Sequence, residues 1–217
     1  MLIHLKELNY YFLTNNSPQR KEHMLEEFKE YKLIEVNPEP DLSRNKSGAS
    51  GFLKMFELGL EEQEAEQIEE KENETDNKFQ PFVIFEDDAK KYKEWPDTIE
   101  IPDNTDILYI GLSQCGMHIH GWSNNVFYSN VNEEIIKVFN MLALHGLIIC
   151  SQTGIEFMQK HLNKAYNDDI PWDIDIALQQ KDYNMYALRK PLVYQYGLLG
   201  GQENTTKIEY NNLENLP

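Results

Sequence analysis

The sequence has few cysteines, few arginines and no long apolar run. Its two cysteines, Cys115 and Cys150, match no zinc-ligand spacing and are too few for a disulfide framework, so we expect buried free thiols. No stretch approaches the ~20 apolar residues that a bilayer-spanning helix needs. Lys6 and Glu7 interrupt the apolar run at the start of the chain, which argues against a secretory signal. These absences predict a soluble, intracellular protein.

Basic residues are also scarce relative to acidic ones. The 217 residues include 20 Lys and Arg against 37 Asp and Glu, for a formal net charge of -17. Such a charge argues against nonspecific binding to nucleic acids or anionic membranes, because both are polyanions. With 41% hydrophobic residues, the chain is typical of a folded protein, and its length predicts one domain over residues 1–217.

The negative charge is concentrated in one segment. Residues 61–76 carry nine acids and one base, Lys71, and so hold -8 of the net charge of -17. A block of like charges usually forms a solvated helix face or a loop. We therefore expect an acidic surface insertion at about residues 61–78, and an acidic docking element is the alternative.

Strand-like and helix-like patterns alternate along the chain. This alternation predicts an α/β domain with a mainly parallel central sheet flanked by helices. The expected strands are 9–14, 33–36, 79–85, 107–111, 147–150, 186–188 and 192–196. The expected helices are 17–31, 50–63, 133–144, 153–166 and 171–183, the fourth beginning with a capping box at Thr153 and Glu156.

Three carboxylates, Glu86, Asp87 and Asp88, follow the apolar strand 82–85 directly. Ligands of α/β domains bind beyond the carboxyl ends of strands, so this position is favourable for a site. If the backbone stays extended, Glu86 and Asp88 lie on one side and Asp87 on the other. Such a pair could hold Mg²⁺ or Mn²⁺, which prefer oxygen ligands. A solvated turn or helix cap is the alternative.

A second acidic group surrounds Pro171 and Trp172, where a helix is expected to begin. Asp173 lies in its first turn, where a carboxylate favours the helix dipole or, alternatively, acts as a general base. Trp172 could stack on a sugar, although a core position is the more usual one. The pair His118 and His120 lacks a third zinc ligand nearby in sequence.

The remaining patterns in the sequence do not indicate a further site. We expect a structural role for His145 before a buried strand. No dinucleotide-binding, P-loop or nucleophile-elbow motif occurs.

Seven segments, in order, resemble motifs of family 25 glycosyltransferases, the lipooligosaccharide-type galactosyltransferases with related viral and collagen-modifying enzymes. They are YFLTNNSPQRKEHM (11–24), SGFLKMFELGL (50–60), FVIFEDDA (82–89), DILYIG (106–111), HGLIICSQTGIEFM (145–158), IPWDIDIAL (170–178) and KPLVYQYG (190–197). The chain departs from the family at residues 48–51, where Gly-Ala-Ser-Gly replaces the usual Gly-Cys-Ser-His, and its last twenty residues have no clear counterpart.

The resemblance implies a GT-A fold that binds a nucleotide-sugar donor, UDP-galactose or UDP-glucose, with Mn²⁺ or Mg²⁺ as cofactor. It implies that Asp88, with Glu86, holds the metal, and that Asp87 or Glu86 accepts hydrogen bonds from the ribose. Arg20 matches the family's arginine and would contact the nucleotide or its phosphates, while a surface or helix-capping role is the alternative.

The implied reaction is transfer of a hexose to a hydroxyl of a glycan acceptor with inversion, in lipopolysaccharide or other glycan synthesis. Asp173 is the first candidate for the base and Asp175 the second. The expected location is the cytoplasm of a bacterium or of a virus-infected cell. Two alternatives remain: a catalytically silent scaffold protein with the same fold, and a metal-dependent nucleotidyltransferase.

Overall fold

A computed structural model describes residues 1–14, 17–71, 79–92 and 94–199, except for the side chains of residues 64–71 and 198. The first half of the chain alternates strands with two helices. Its elements are β1 Leu2–His4, β2 Asn9–Leu13, α1 Pro18–Glu27, β3 Lys32–Val36, α2 Arg44–Lys71, β4 Phe82–Phe85, β5 Ala89–Lys91, β6 Thr98–Glu100 and β7 Ile107–Tyr109.

The second half adds seven strands and two helices. They are β8 Gly116–His118, β9 Gly121–Ser123, β10 Tyr128–Asn130, β11 Ile135–Val138, β12 Gly146–Ile149, α3 Gln152–Asp168, α4 Trp172–Gln179, β13 Met185–Leu188 and β14 Val193–Gln195. Short 3-10 turns lie at Leu5–Glu7, Gln180–Asp182 and Gly197–Leu199.

Eight strands form the central sheet, in the order β10-β11-β13-β7-β12-β4-β2-β3. Three of its seven pairings are parallel and four are antiparallel, so the α/β class is confirmed but the expected mainly parallel sheet is wrong. Continuous apolar strands such as Phe82–Phe85 predict burial on both faces. The antiparallel strand Gly146–Ile149 is equally buried, because layers cover both faces of the sheet, and composition therefore cannot reveal its direction.

The two faces of the sheet carry separate apolar cores, and successive residues of β4 alternate between them. Phe82 and Ile84 pack with side chains of α2, α3 and α4. Val83 and Phe85 pack with side chains of α1 and of the ribbon formed by β1 and β6. The sheet is thus the middle of three layers, and its central strands are held rigidly in place by packing on both sides.

Several predicted boundaries differ from the structure. The helix expected over residues 133–144 is wrong, because Ile135–Val138 forms strand β11 at the side of β13. The helix expected to begin at residue 50 begins at Arg44. The third helix is capped by Ser151, whose hydroxyl accepts from Gly154 N, rather than by Thr153. The acidic segment prolongs α2 to Lys71, and the rest of the predicted insertion at 61–78 lies outside the described residues.

The strand directions bring the carboxyl ends of several strands to one edge of the sheet. Strands β3, β2, β4, β7 and β13 all run the same way, and β12 runs opposite to its neighbours β4 and β7. The carboxyl ends of β2, β4 and β7 therefore lie beside the start of β12. In the part of the chain that the structure describes, no helix has the length and apolar character to cross a membrane.

Candidate active site

The three carboxylates after β4 lie in a tight turn that we call the acid turn, Glu86–Asp87–Asp88. The turn closes where Ala89 N donates to Glu86 O at 3.2 Å, and the chain then continues as β5. Asp87 and Asp88 are both 5% exposed and Glu86 is half-buried. The extended backbone assumed from the sequence ends at Phe85, so the alternation predicted for the three side chains does not apply, and Asp87 has a cationic partner of its own.

That partner is Arg20, in the first turn of α1. Ser17 caps this helix by accepting from Arg20 N, and Pro18 occupies its first position, both as predicted. The Arg20 guanidinium donates through Nη1 to Asp87 Oδ1, forming an ion pair. Its Nε and Nη2 both donate to Leu199 O, at 3.0 and 2.7 Å. Arg20 thus joins the acid turn to the 3-10 turn at Gly197–Leu199, and the nucleotide contact expected from the sequence stays a prediction.

Glu86 and Asp88 have no comparable compensation. Burial, followed by the charges of Asp88 and Asp173, raises the pKa of Glu86 to about 8. Burial raises the pKa of Asp88 to about 6, although the Arg20 charge opposes this shift. Among the described residues, Asp88 Oδ1 is buried without a hydrogen-bond partner. Two adjacent acids are therefore held where their charged forms are unfavourable.

Asp173 approaches this pair from another element. It lies in the first turn of α4, and its charge is among those that raise the pKa of Glu86. Burial raises the pKa of Asp173 itself, while hydrogen bonds from backbone N–H groups of the helix start and the charge of Arg44 lower it. The structure therefore places Asp173 near the acid turn and also at a helix start, so the two interpretations from the sequence are compatible.

Asp175, the second candidate base, lies in a different environment. One of its oxygens is 2.6 Å from His161 Nδ1, and the other accepts from Lys164 Nζ, both residues of α3. Burial raises the pKa of Asp175, but the hydrogen bonds and charges of these two partners outweigh that effect and lower it overall. Its carboxylate is thus engaged in fixing α4 against α3. Among the described residues, Asp175 has its hydrogen bonds and ion pairs with α3 and none with the acid turn.

Trp172 and His145 both have structural surroundings. Trp172 packs over Gly48, where an added Cβ would come within 2.4 Å of the indole, and lies 6.2 Å from the ring of Phe52. It is thus a core side chain, as the more usual alternative predicts. His145 is 2% exposed and packs over Gly111, and burial lowers its pKa to about 4. The imidazole is therefore neutral at pH 7, as expected of a structural histidine.

The C-terminal strand supplies contacts that sequence reasoning did not assign to the site. Strand β14 pairs with β5 so that Gln195 is opposite Ala89, and Gln195 Nε2 donates to Glu86 Oε2 at 3.0 Å. Tyr196 N donates to Asp88 O at 2.7 Å. The only signal in the sequence was the polar Gln195 at the end of an apolar strand, within a segment matching the family's last motif.

An aromatic group lies beside these contacts. The rings of Tyr196 and His23 are stacked with centroids 5.5 Å apart, and His23 Nε2 is 2.8 Å from Ala89 O. Lys90 Nζ also lies over the Tyr196 ring, 4.1 Å from its centroid. These contacts hold the first two residues of β5 in place, directly after the acid turn.

The donor set of the acid turn can be tested against a divalent metal. Among the described residues, no group of three or more His, Cys, Asp or Glu is arranged to hold a metal ion, and this includes His118 and His120. Mg²⁺, however, is usually held by one or two carboxylates, with waters and substrate phosphates completing its shell. Asp88 and Glu86 offer such hard oxygen ligands, and the buried Asp88 Oδ1 lacks any other partner. The residues present therefore fit a metal that shares its shell with a substrate.

A cavity of about 550 Å³ lies elsewhere, at the opposite edge of the sheet. Its lining includes Asn9 and Phe82, the first residues of β2 and β4, together with Glu62 and Gln63 of α2. The acid turn follows the other end of β4. The cavity therefore does not belong to the candidate site.

Comparison with models of known protein families and with curated proteins finds no match. Among solved structures, the chain is similar to CTP:phosphocholine cytidylyltransferase from Streptococcus pneumoniae, with a TM-score of 0.43 and 12% sequence identity. The similarity covers 86% of this chain and 72% of that chain. At this distance it does not bear on function, and the resemblance to family 25 glycosyltransferases stays a prediction.

Proposed function

We propose that this chain is a divalent-metal-dependent glycosyltransferase that uses a nucleotide-sugar donor. The observation that carries the proposal is the unbalanced charge of Glu86 and Asp88, which lie at the carboxyl end of a central strand. Buried carboxylates without a cationic partner are costly for a fold, and groups with strongly shifted pKa values are concentrated at functional sites. A bound cation would offset this cost and would attract a phosphate-bearing donor.

The residues have separate roles in this proposal. Asp88 and Glu86 hold the metal, which when bound neutralises charge on the diphosphate leaving group. Arg20 pairs directly with Asp87, and its charge only partly offsets the effect of burial on Asp88. Asp87 orients the turn and, as the sequence resemblance implies, is a candidate to accept a hydrogen bond from the ribose.

Asp173 is the proposed base. The acceptor hydroxyl oxygen forms a bond to the anomeric carbon, the bond from that carbon to the diphosphate oxygen breaks, and the hydroxyl proton passes to Asp173. The raised pKa of the buried Asp173 carboxyl suits proton acceptance. Asp175 is omitted, because His161 and Lys164 hold both of its oxygens. Inversion is proposed on the family resemblance, as are galactose or glucose for the sugar and a glycan for the acceptor.

Thermal unfolding with Mn²⁺ and a panel of nucleotides tests the donor class. We expect Mn²⁺ plus UDP to stabilise the protein, and Asp88→Ala to remove this effect. Asp182→Ala, a change of the same kind at an exposed residue of a 3-10 turn, is the matched control. A silent scaffold would show no stabilisation by the pair, and that result would overturn the proposal.

Turnover then identifies the reaction. A donor screen should show release of UDP from a UDP-sugar, and NMR of the product should show an inverted anomeric configuration. Nucleotidyl transfer, the alternative that uses the same carboxylates, would instead require a nucleoside triphosphate and release pyrophosphate. Asp173→Asn should lose turnover and keep Mn²⁺ binding, because the residue is proposed to act on the acceptor.

A further inference from the structure

Gln195 has a distinct position in the acid cluster. It is the last residue of β14, and its Nε2 donates to Glu86 Oε2 at 3.0 Å. Among the described side chains, it is the one that donates a hydrogen bond to the Glu86 carboxyl. The surrounding side chains that act on Glu86 are the acids Asp88, Asp173 and Asp87. Gln195 is thus the neutral partner of a carboxyl that is otherwise surrounded by like charge.

The backbone delivers this amide to a fixed place. Gln195 is opposite Ala89 in the pairing of β14 with β5, and Ala89 follows the acid turn directly. One residue later, Tyr196 N donates to Asp88 O at 2.7 Å. The C-terminal end of the acid turn is therefore tied to the strand that carries Gln195, and this fixes the position of the amide relative to Glu86.

An amide also has the right charge for this position. A Lys or Arg donor would neutralise Glu86 and compete with a cation, as Arg20 neutralises Asp87. An amide fixes one carboxylate oxygen without adding charge and leaves the other oxygen for a metal. Residues that hydrogen-bond a ligating carboxylate typically change metal affinity 10- to 100-fold when they are replaced.

We propose that Gln195 is a positioning residue for the divalent metal, acting through the Glu86 carboxylate. This inference rests on the metal site of the proposed function and adds a residue that does not itself bind the metal. It assigns a role to β14: the strand brings a neutral donor to the acid turn after β4 and fixes one of the two metal ligands.

Mn²⁺ binding, measured by electron paramagnetic resonance without nucleotide at one pH, tests the proposal. We expect Gln195→Met, which keeps the length of the side chain and removes the amide, to raise the Kd for Mn²⁺ by about 10- to 100-fold. Gln195→Asn, whose amide is one methylene shorter, should also weaken binding and serves if the Met variant does not fold. Gln152→Met, at an exposed position in the first turn of α3, is the matched control and should bind as the wild type.

A double-mutant cycle with Glu86→Gln shows whether Gln195 acts through Glu86. We expect Gln195→Met to cause no further loss of Mn²⁺ affinity once Glu86 has been replaced. Additive losses would overturn the positioning role, because Gln195 would then act on the metal directly. An unchanged Kd for Mn²⁺ in Gln195→Met would overturn the inference about Gln195. The proposed function would remain intact in that case, because the wild type would still bind Mn²⁺. Failure of the wild type to bind Mn²⁺ would overturn both.

Discussion

Two buried acidic groups at the start of α4 and the end of β4 have opposite electrostatic surroundings. Asp175 is in contact with His161 and Lys164, and its pKa is lowered overall. Glu86 and Asp88 have raised pKa values, because burial and neighbouring acids outweigh every compensating contact. The first group is an ion-pair network that fixes two helices. The second is held in place by the surrounding fold although its charged forms are unfavourable, which is typical of functional sites.

The two acidic groups differ in the basic side chains that contact them. Lys164 and His161 both serve one carboxylate, Asp175. Near the acid turn, Arg20 pairs with Asp87 and a backbone carbonyl rather than with the two acids that need compensation. Among the described residues, Glu86 and Asp88 thus form no ion pair of their own, although the Arg20 charge partly offsets the burial of Asp88. Opposite effects of mutation in the two groups follow from this difference.

Replacement of Asp88 should have the largest effect on function. Asp88→Asn removes one of two proposed metal ligands, and we expect turnover to fall about 10²- to 10³-fold, as when a charge-stabilising group of an active site is removed. The metal-free protein should become more stable, because a buried, unpaired acid is lost. Steady-state UDP release and metal-free thermal unfolding measure the two effects. Turnover equal to that of the wild type, or a clear loss of stability in the absence of metal, would contradict the difference between the two acidic groups.

Replacement of Asp175 should have the converse result. Asp175→Ala leaves His161 and Lys164 without their shared partner, and we expect the free energy of unfolding to fall by about 3 kcal/mol. Urea unfolding measures this change. Mn²⁺ affinity should stay close to that of the wild type, because both partners of Asp175 lie in α3 rather than in the acid turn. A stable variant that has lost Mn²⁺ binding would mean that Asp175 belongs to the site.

His145 should make the fold sensitive to acid. Burial lowers its pKa from 6.5 to about 4, so the folded state binds fewer protons than the unfolded state between these values. Its contribution to stability is complete above pH 6.5 and falls as the pH drops, with a loss of about 2–3 kcal/mol by pH 4. His145→Gln should flatten this part of the pH profile of unfolding. An unchanged profile would show that protonation of the Asp175 group accounts for the acid sensitivity.

The pH dependence caused by Glu86 has the opposite sign to that of His145. Its pKa is raised above the unfolded value of 4.5, so the unfolded state loses its proton first as the pH rises. Metal-free stability should therefore decline between pH 4.5 and about 8, and Glu86→Gln should remove this decline. Stabilisation by Mn²⁺ should grow over the same range, because the metal needs the deprotonated carboxylate. A metal-free profile that is identical in wild type and Glu86→Gln would contradict the assignment.

Local signals predicted much of the scaffold. Ser17 and Pro18 mark the start of α1, and the apolar run 82–85 marks β4 with the acid turn after it. The direction of β12 was not predictable, because burial on both faces looks the same in either direction. The strand at Ile135–Val138 was mistaken for a helix, since a short apolar run fits either periodicity, although three of its four residues are β-branched.

The site was predictable only in part, for a similar reason. Three acids at a strand end form a local pattern, and the structure places Asp173 near them as well. The ion pairs of Asp175 depend on how α3 packs against α4, and spacing along one helix does not reveal them. Gln195 reaches Glu86 from 109 residues away through the pairing of β14 with β5. Contacts between distant elements decide which acids have a cationic partner and which do not.

The central claim is that Glu86 and Asp88 hold a divalent metal together with a nucleotide. The most direct test is thermal unfolding of wild type and Asp88→Asn with Mn²⁺ alone, UDP alone and the two together. We predict that the pair stabilises the wild type by more than the sum of the separate ligands and that Asp88→Asn shows no such gain. Equal stabilisation of both proteins, or none in the wild type, would contradict joint binding of a metal and a nucleotide at Glu86 and Asp88.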